Sequence, residues 1–153
     1  MSLLLSPQEL RTFFITFVTA DRRSIFQVAR NASLLMDVFR SDRQKGRYCL
    51  HGWVVMPDHV HLLLTPAEDI PLEKAIQFIK GGFSFQLSSG REVWQRGYTE
   101  HRIQDAEDFE RHVEYIAQNP VRARFRVNYT WSYLMHPELV DPMPGHFGGR
   151  AQG

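Results

Sequence analysis

Three observations predict an α+β domain: short runs of alternating apolar residues are separated by apolar stripes at helical spacing, a proline-bearing turn joins two of the runs tightly, and the resulting order is β-α-β-β-α-β with one further helix. That order is the split βαβ arrangement of a ferredoxin-like (RRM-like) sandwich, in which an antiparallel sheet carries helices on one face and leaves the other available. A chain of 153 residues, 43% of them hydrophobic and 23% charged, has enough apolar surface for one such core and too little length for two.

Arg11 to Thr19 is rich in β-branched and aromatic residues and places Phe13, Ile15 and Phe17 on one face, which predicts a strand. From Ser24 to Arg40 the positions Ile25, Val28, Ala29, Ala32, Leu35, Met36 and Phe39 form the stripe of an amphipathic helix. Arg47 to Met56 and His59 to Thr65 predict two antiparallel strands joined at Met56-Pro57-Asp58-His59. Pro71 suits a first helical turn, and Leu72, Ala75, Ile76, Ile79 and Phe83 continue that helix to about residue 88, although Gly81-Gly82 lower its propensity. Glu92 to Ile103 lacks helical period and returns to the sheet. Asp105 caps a third helix with the stripe Phe109, His112, Val113, Ile116, whose end is expected near Asn119 because proline disfavours the helical region for the residue before it. The domain is expected to span 1–135, and 136–153, rich in proline and glycine, to be a loop or disordered tail.

The formal charge of +1 excludes a bulk polycation, so any polyanion must be met by a local patch. Fifteen arginines against three lysines favour bidentate phosphate contacts, although a GC-rich genome produces the same bias. The lone Cys49 cannot form an internal disulfide, and no leader or membrane-length apolar run is evident, so a cytoplasmic location without membrane association is expected.

Chemistry concentrates in two places. In His59-Val60-His61 the alternation of a strand points both imidazoles to one side, within reach of one divalent metal, while Val60, Leu62 and Leu64 point to the core. Two unconnected surface or core-edge histidines would give the same letters. On the third helix Tyr115 and Asn119, four apart, share a face. A phenol can attack phosphorus to leave a phosphotyrosine ester, with a metal polarising the phosphate, and two histidines with an amide oxygen suit Mg²⁺ or Mn²⁺. The competing possibilities are a core-edge tyrosine and, for the third ligand, Gln118 in place of Asn119.

The stretch Leu50-His51-Gly52-Trp53-Val54-Val55-Met56-Pro57-Asp58-His59-Val60-His61-Leu62-Leu63-Leu64, followed some fifty residues on by Tyr115-Ile116-Ala117-Gln118-Asn119-Pro120-Val121-Arg122-Ala123, resembles the REP-associated tyrosine transposases, members of the HUH single-strand DNA transposases. The resemblance runs from about Thr12 to Tyr133 and takes in Ile79 to Ser84 and Val93 to Tyr98. It implies a metal-dependent endonuclease and strand transferase for DNA transposition and recombination, acting on single-stranded, hairpin-forming palindromes. Tyr115 would be the catalytic nucleophile, and His59, His61 and Asn119 the metal ligands. Arg124 departs from the family, standing where a glycine is common, and the tail is short. A monomer that completes its own active site is expected, with a dimer as the alternative.

The DNA-binding residues expected from the basic segments are Arg22, Arg23, Arg43, Lys45, Arg47, Lys80, Arg122 and Arg124. Glu100 to Glu114 is acidic, so the outer face of the third helix should avoid DNA. The alternative from another class is a catalytically silent RRM-like nucleic-acid-binding domain, which has no need of the His59, His61, Tyr115 and Asn119 set. A nucleotide hydrolase using alternating histidines would want a third one where Leu63 stands.

Overall fold

The computed structural model describes residues 11–147. Its framework is β1 (Phe13–Val18), α1 (Ala29–Gln44), β2 (Tyr48–Met56), β3 (His59–Pro66), α2 (Leu72–Leu87), β4 (Thr99–Arg102) and α3 (Ala106–Arg122). The strands form one antiparallel sheet in the order β2-β3-β1-β4, the ferredoxin-like order predicted from the sequence.

Alternation divides the strands between two cores. Phe13, Ile15 and Phe17 of β1 join Val60, Leu62 and Leu64 of β3 beneath α1 and α2, packed on Leu35, Phe39, Ile76, Ile79 and Phe83. A bulge between Leu50 and Gly52 shifts the alternation of β2 by one residue, so Leu50 and Trp53 both face this core. The opposite face carries a smaller core of Val54, Met56, Leu63, Ile103, Phe109 and Ile116, and α3 lies over it. The expectation of an available second face is corrected by this packing, because the stripe of α3 needs an apolar partner and the odd-numbered positions of β3 provide it. A Cβ on Gly52 would sit 3.7 Å from the Ile116 side chain, so this glycine lets α3 settle close to β2.

Four segments are bounded differently from the sequence-based expectation. The helix expected to begin at Ser24 starts with a separate 3-10 turn at Ile25–Gln27, and α1 runs on past Arg40 because buried Asp42 is anchored by Tyr48 Oη at 2.9 Å and Arg47 at 2.9 Å. Only Thr99–Arg102 of the predicted fourth strand pairs with β1, while Trp94 forms an isolated bridge to Thr19 and enters the main core. α3 continues through buried Pro120 to Arg122, and the chain beyond stays closed on it, with the Ala123 amide donating to the Asn119 carbonyl and the Phe125 amide to the Pro120 carbonyl.

The fourth boundary is the one expected after residue 135. Trp53 Nε1 donates to the Leu139 carbonyl, Arg43 grips Asp141 with two nitrogens at 2.8 and 3.1 Å, and Phe147 is buried against Phe109. Residues 136–147 are therefore part of the packed domain, and 148–153 of the predicted tail lie outside the described residues.

Candidate active site

His59 and His61 stand on the face of β3 that α3 covers, with ring centroids 4.8 Å apart. Each imidazole is oriented through Nδ1, which lies 2.8 Å from Asp58 Oδ1 in His59 and 2.8 Å from Thr16 Oγ1 in His61. With Nδ1 fixed in this way, and with no hydrogen bond to either Nε2 among the described residues, Nε2 is the nitrogen each ring offers to a metal, as in metal sites whose histidines are held by outer hydrogen bonds. Burial, assisted by the charge of neighbouring His59, lowers the His61 pKa to about 3, so His61 is a neutral imidazole, the form that coordinates a metal.

Asp58 belongs to a longer chain of contacts. Arg22 Nε donates to its Oδ2 at 3.1 Å while His59 engages Oδ1, and these hydrogen bonds, against the opposing effect of burial, hold the carboxyl below its ordinary value. The turn presenting Arg22 has two successive non-glycine residues at positive φ, Asp21 at 55° and Arg22 at 51°. Backbone in that region is unfavourable for L-residues and persists where surrounding contacts hold it. Here Thr19 N donates to the Asp58 carbonyl at 3.0 Å, and Thr19 Oγ1 donates to the Arg23 carbonyl at 2.7 Å, which closes the turn.

Tyr115 comes to this place from α3. Its ring lies 5.5 Å from that of His61, edge-on, and the Arg122 guanidinium sits 5.1 Å over the phenol ring from two turns farther along the helix. Phe14 is the shared floor, 5.4 Å from His61 and 5.7 Å from Tyr115 between ring centroids. Tyr115 is 37% exposed, enough for the phenol to meet a ligand from solvent. Asn119 follows one turn after Tyr115 on the same face, whereas Gln118 Nε2 donates to Glu114 Oε2 at 3.2 Å on the exposed side of the helix.

The predicted phosphate-binding residues do not all gather here. Arg22 and Arg122 flank the histidines and the tyrosine, and Arg124 is exposed just beyond α3. Arg23 donates to the Glu92 carbonyl, Arg43 is paired with Asp141, and Arg47 is paired with Asp42 and lies 3.8 Å over the Phe78 ring. Lys80 Nζ donates to the carbonyls of Gln95 and Gly97 at 3.1 and 2.9 Å. These four side chains hold the fold together, and Lys45 is exposed at the end of α1, on the other side of the sheet.

Sequence reasoning missed Thr16, Asp58 and Phe14. Thr16 and Phe14 share the His61 side of the sheet by strand alternation, but their meeting with His61 depends on the β1–β3 register, which pairs Thr16 with His61 and local periodicity does not fix. Asp58 adjoins His59 directly, and that adjacency was a legible signal.

A family model described as "Transposase IS200 like" matches residues 9–119. The REP-associated tyrosine transposase of Escherichia coli (strain K12) is 30% identical over 112 residues, covering 72% of this chain and 67% of that protein. The chain spans about two thirds of the length of the curated relatives it matches. A solved structure described as a REP-associated tyrosine transposase bound to a REP hairpin superposes with a TM-score of 0.71 at 26% identity, covering 86% of this chain and 82% of that one. A crystal structure from Deinococcus radiodurans, at 18% identity and a TM-score of 0.53, shares the fold over 82% of this chain and 98% of its own.

Proposed function

The chain belongs to the IS200-like transposase family and is a tyrosine transposase of that family, and we propose that it cleaves and rejoins single-stranded, hairpin-forming DNA with Tyr115 as nucleophile. The observation that carries this reading is the approach of Tyr115 to His61 across Phe14, which sets a solvent-accessible phenol beside two imidazoles that each have Nε2 free.

In the proposed step Tyr115 Oη attacks a backbone phosphorus. The phenol gives up its proton as a P–O bond forms to its oxygen, the bond to one sugar oxygen breaks, and that oxygen takes up a proton and leaves as a hydroxyl. Attack by a DNA hydroxyl on the phosphotyrosine ester reverses the exchange and rejoins strands without an external energy source. His59 and His61, with Asn119 as the third ligand, would hold Mg²⁺ or Mn²⁺, which supplies Lewis-acid polarisation of the phosphate. Asp58 and Thr16 fix the two imidazoles, and Arg122 steadies the phenol ring while presenting positive charge where the phosphate arrives.

Hairpin substrates suit the surroundings of the site. Arg122, Arg124 and Arg126 alternate with exposed Phe125, whose ring lies 4.9 Å from that of Tyr129, a mixture of cations and aromatic faces that suits unpaired bases and backbone. The relative described as bound to a REP hairpin supports the same class of ligand. The alternative of a silent binding domain leaves the oriented histidine pair without a purpose.

A competition assay at fixed salt between a palindromic single strand and its fully paired duplex tests the substrate form. Preferential binding and cutting of the single strand is expected, and equal or better cutting of the duplex would instead indicate a conventional endonuclease.

A further inference from the structure

A second cluster of metal-capable side chains lies on the same sheet face, on the far side of Phe14. His101 of β4 and Asp108 and His112 of α3 each offer a ligand atom, and the three atoms lie within 4.8 Å of one another. His101 Nε2 is 2.8 Å from Asp108 Oδ2, and His112 Nδ1 is 3.2 Å from Asp108 Oδ1. The Phe14 ring is 4.8 Å from that of His112 and 5.4 Å from that of His61, so one aromatic ring separates the two histidine groups.

We propose that His101, Asp108 and His112 form a second metal site, separate from His59 and His61, which takes a borderline transition metal such as Zn²⁺ and staples β4 to α3. In tetrahedral coordination with bonds of about 2.0–2.1 Å, neighbouring ligand atoms lie roughly 3.3 Å apart. The two imidazoles approach different oxygens of the Asp108 carboxylate, His101 at 2.8 Å from Oδ2 and His112 at 3.2 Å from Oδ1, and with all three ligand atoms within 4.8 Å of one another, rotations of the side chains bring them onto one ion. Asp108 and His112, four apart on a helix, and His101 on a strand stand on regular elements. The Asp108 side chain is 5% exposed and His101 45%, so the site has a buried anchor and an opening to solvent for a fourth ligand.

Two imidazoles and one carboxylate select Zn²⁺, Co²⁺ or Ni²⁺ over the harder Mg²⁺. Other polar groups meet Asp108: the Gln104 backbone N–H donates to Oδ2 at 2.9 Å, and Arg111 donates to Oδ1 at 3.2 Å. The Gln104 bond orients the carboxylate, while Arg111, 62% exposed, can swing into solvent when a cation binds. His112 Nδ1 also lies 2.9 Å from the Asp108 carbonyl, and ligation requires the tautomer protonated at Nε2, which leaves Nδ1 as the donor to metal. Because Tyr115 follows His112 by less than one turn, a metal here pins the helix that carries the proposed nucleophile.

The test is Co²⁺ titration of the His59→Gln/His61→Gln variant, read by visible absorption and equilibrium dialysis. One Co²⁺ per chain is expected, with affinity falling at least about tenfold when His101→Gln is added. Zn²⁺ should raise the melting temperature before that addition and not after it. The single variant His101→Gln alters a half-exposed side chain and serves if the double variant does not fold, since Co²⁺ stoichiometry should then fall from two in the unaltered chain to one. Absence of Co²⁺ from the double variant, or an affinity indifferent to His101→Gln, would overturn the proposal, as would equal stoichiometry in the unaltered chain and the single variant.

Discussion

Replacing Thr16 with valine separates a positioning role for Thr16 from a purely structural one. The side chains are nearly the same shape, so the main loss is the 2.8 Å hydrogen bond to His61 Nδ1. His61 is 6% exposed, so water cannot readily replace the hydroxyl, and a buried polar atom left without a partner costs roughly 1–3 kcal/mol. The imidazole also loses the contact that selects its ring orientation. Removing such outer partners weakens metal binding by about 10–100-fold, or roughly 1.4–2.7 kcal/mol. Urea denaturation in EDTA reads the first quantity, and calorimetric titration with Mn²⁺ reads the second. A loss of stability with unchanged Mn²⁺ affinity would refute a metal-positioning role for Thr16.

Further outcomes follow from other contacts. Arg124 has φ of 71°, the left-handed region, so Arg124→Gly should stabilise the domain by about 1 kcal/mol in thermal unfolding while lowering DNA affinity and the steepness of its salt dependence. Arg43→Ala should destabilise the domain by about 1–3 kcal/mol through loss of the Asp141 pair, with DNA affinity at fixed salt little changed. The folded-state pKa of His61, about 3, lies below the unfolded value near 6.5, so the unfolded chain binds more protons between those values. The stability of metal-free protein is therefore fully present above pH 6.5 and declines on acidification, by about 2 kcal/mol from this residue at pH 5; denaturation midpoints at pH 7 and 5 should show the decline, and none between them would contradict the burial argument.

The strands and helices were legible wherever one face is apolar and the other is not. Phe13, Ile15 and Phe17, or Val60, Leu62 and Leu64, can bury together only in an extended chain. Positions decided by polar contacts were less legible: α1 runs past Arg40 because Asp42 finds Tyr48 and Arg47 inside the fold, and local apolar spacing does not encode that meeting. The packing of Leu139 and Phe147 was hidden by a composition rich in proline and glycine, since single anchors without period can still be buried. The left-handed backbone of Arg124 accounts for the glycine common at that position in the resembling family.

At the site, alternation and helical spacing placed His59 with His61 and Tyr115 with Asn119, and the packing of α3 on the sheet brought Tyr115 to His61. The basic residues were read less well. Net local charge does not reveal whether an arginine faces solvent or an internal carboxylate, and Arg43 and Arg47 meet Asp141 and Asp42.

The most direct test of Tyr115 as nucleophile is capture of the covalent intermediate. A labelled pool of randomised hairpin single strands, incubated with the protein and Mg²⁺ or Mn²⁺ and resolved under denaturing conditions, should yield a protein–DNA adduct that peptide mass spectrometry assigns to Tyr115. Tyr115→Phe should abolish the adduct and the cleavage while retaining hairpin affinity within about twofold, because the lost hydroxyl is the attacking group and contributes little to phosphate binding. An adduct that persists in Tyr115→Phe, or cleavage of the pool with no covalent species at all, would contradict the assignment.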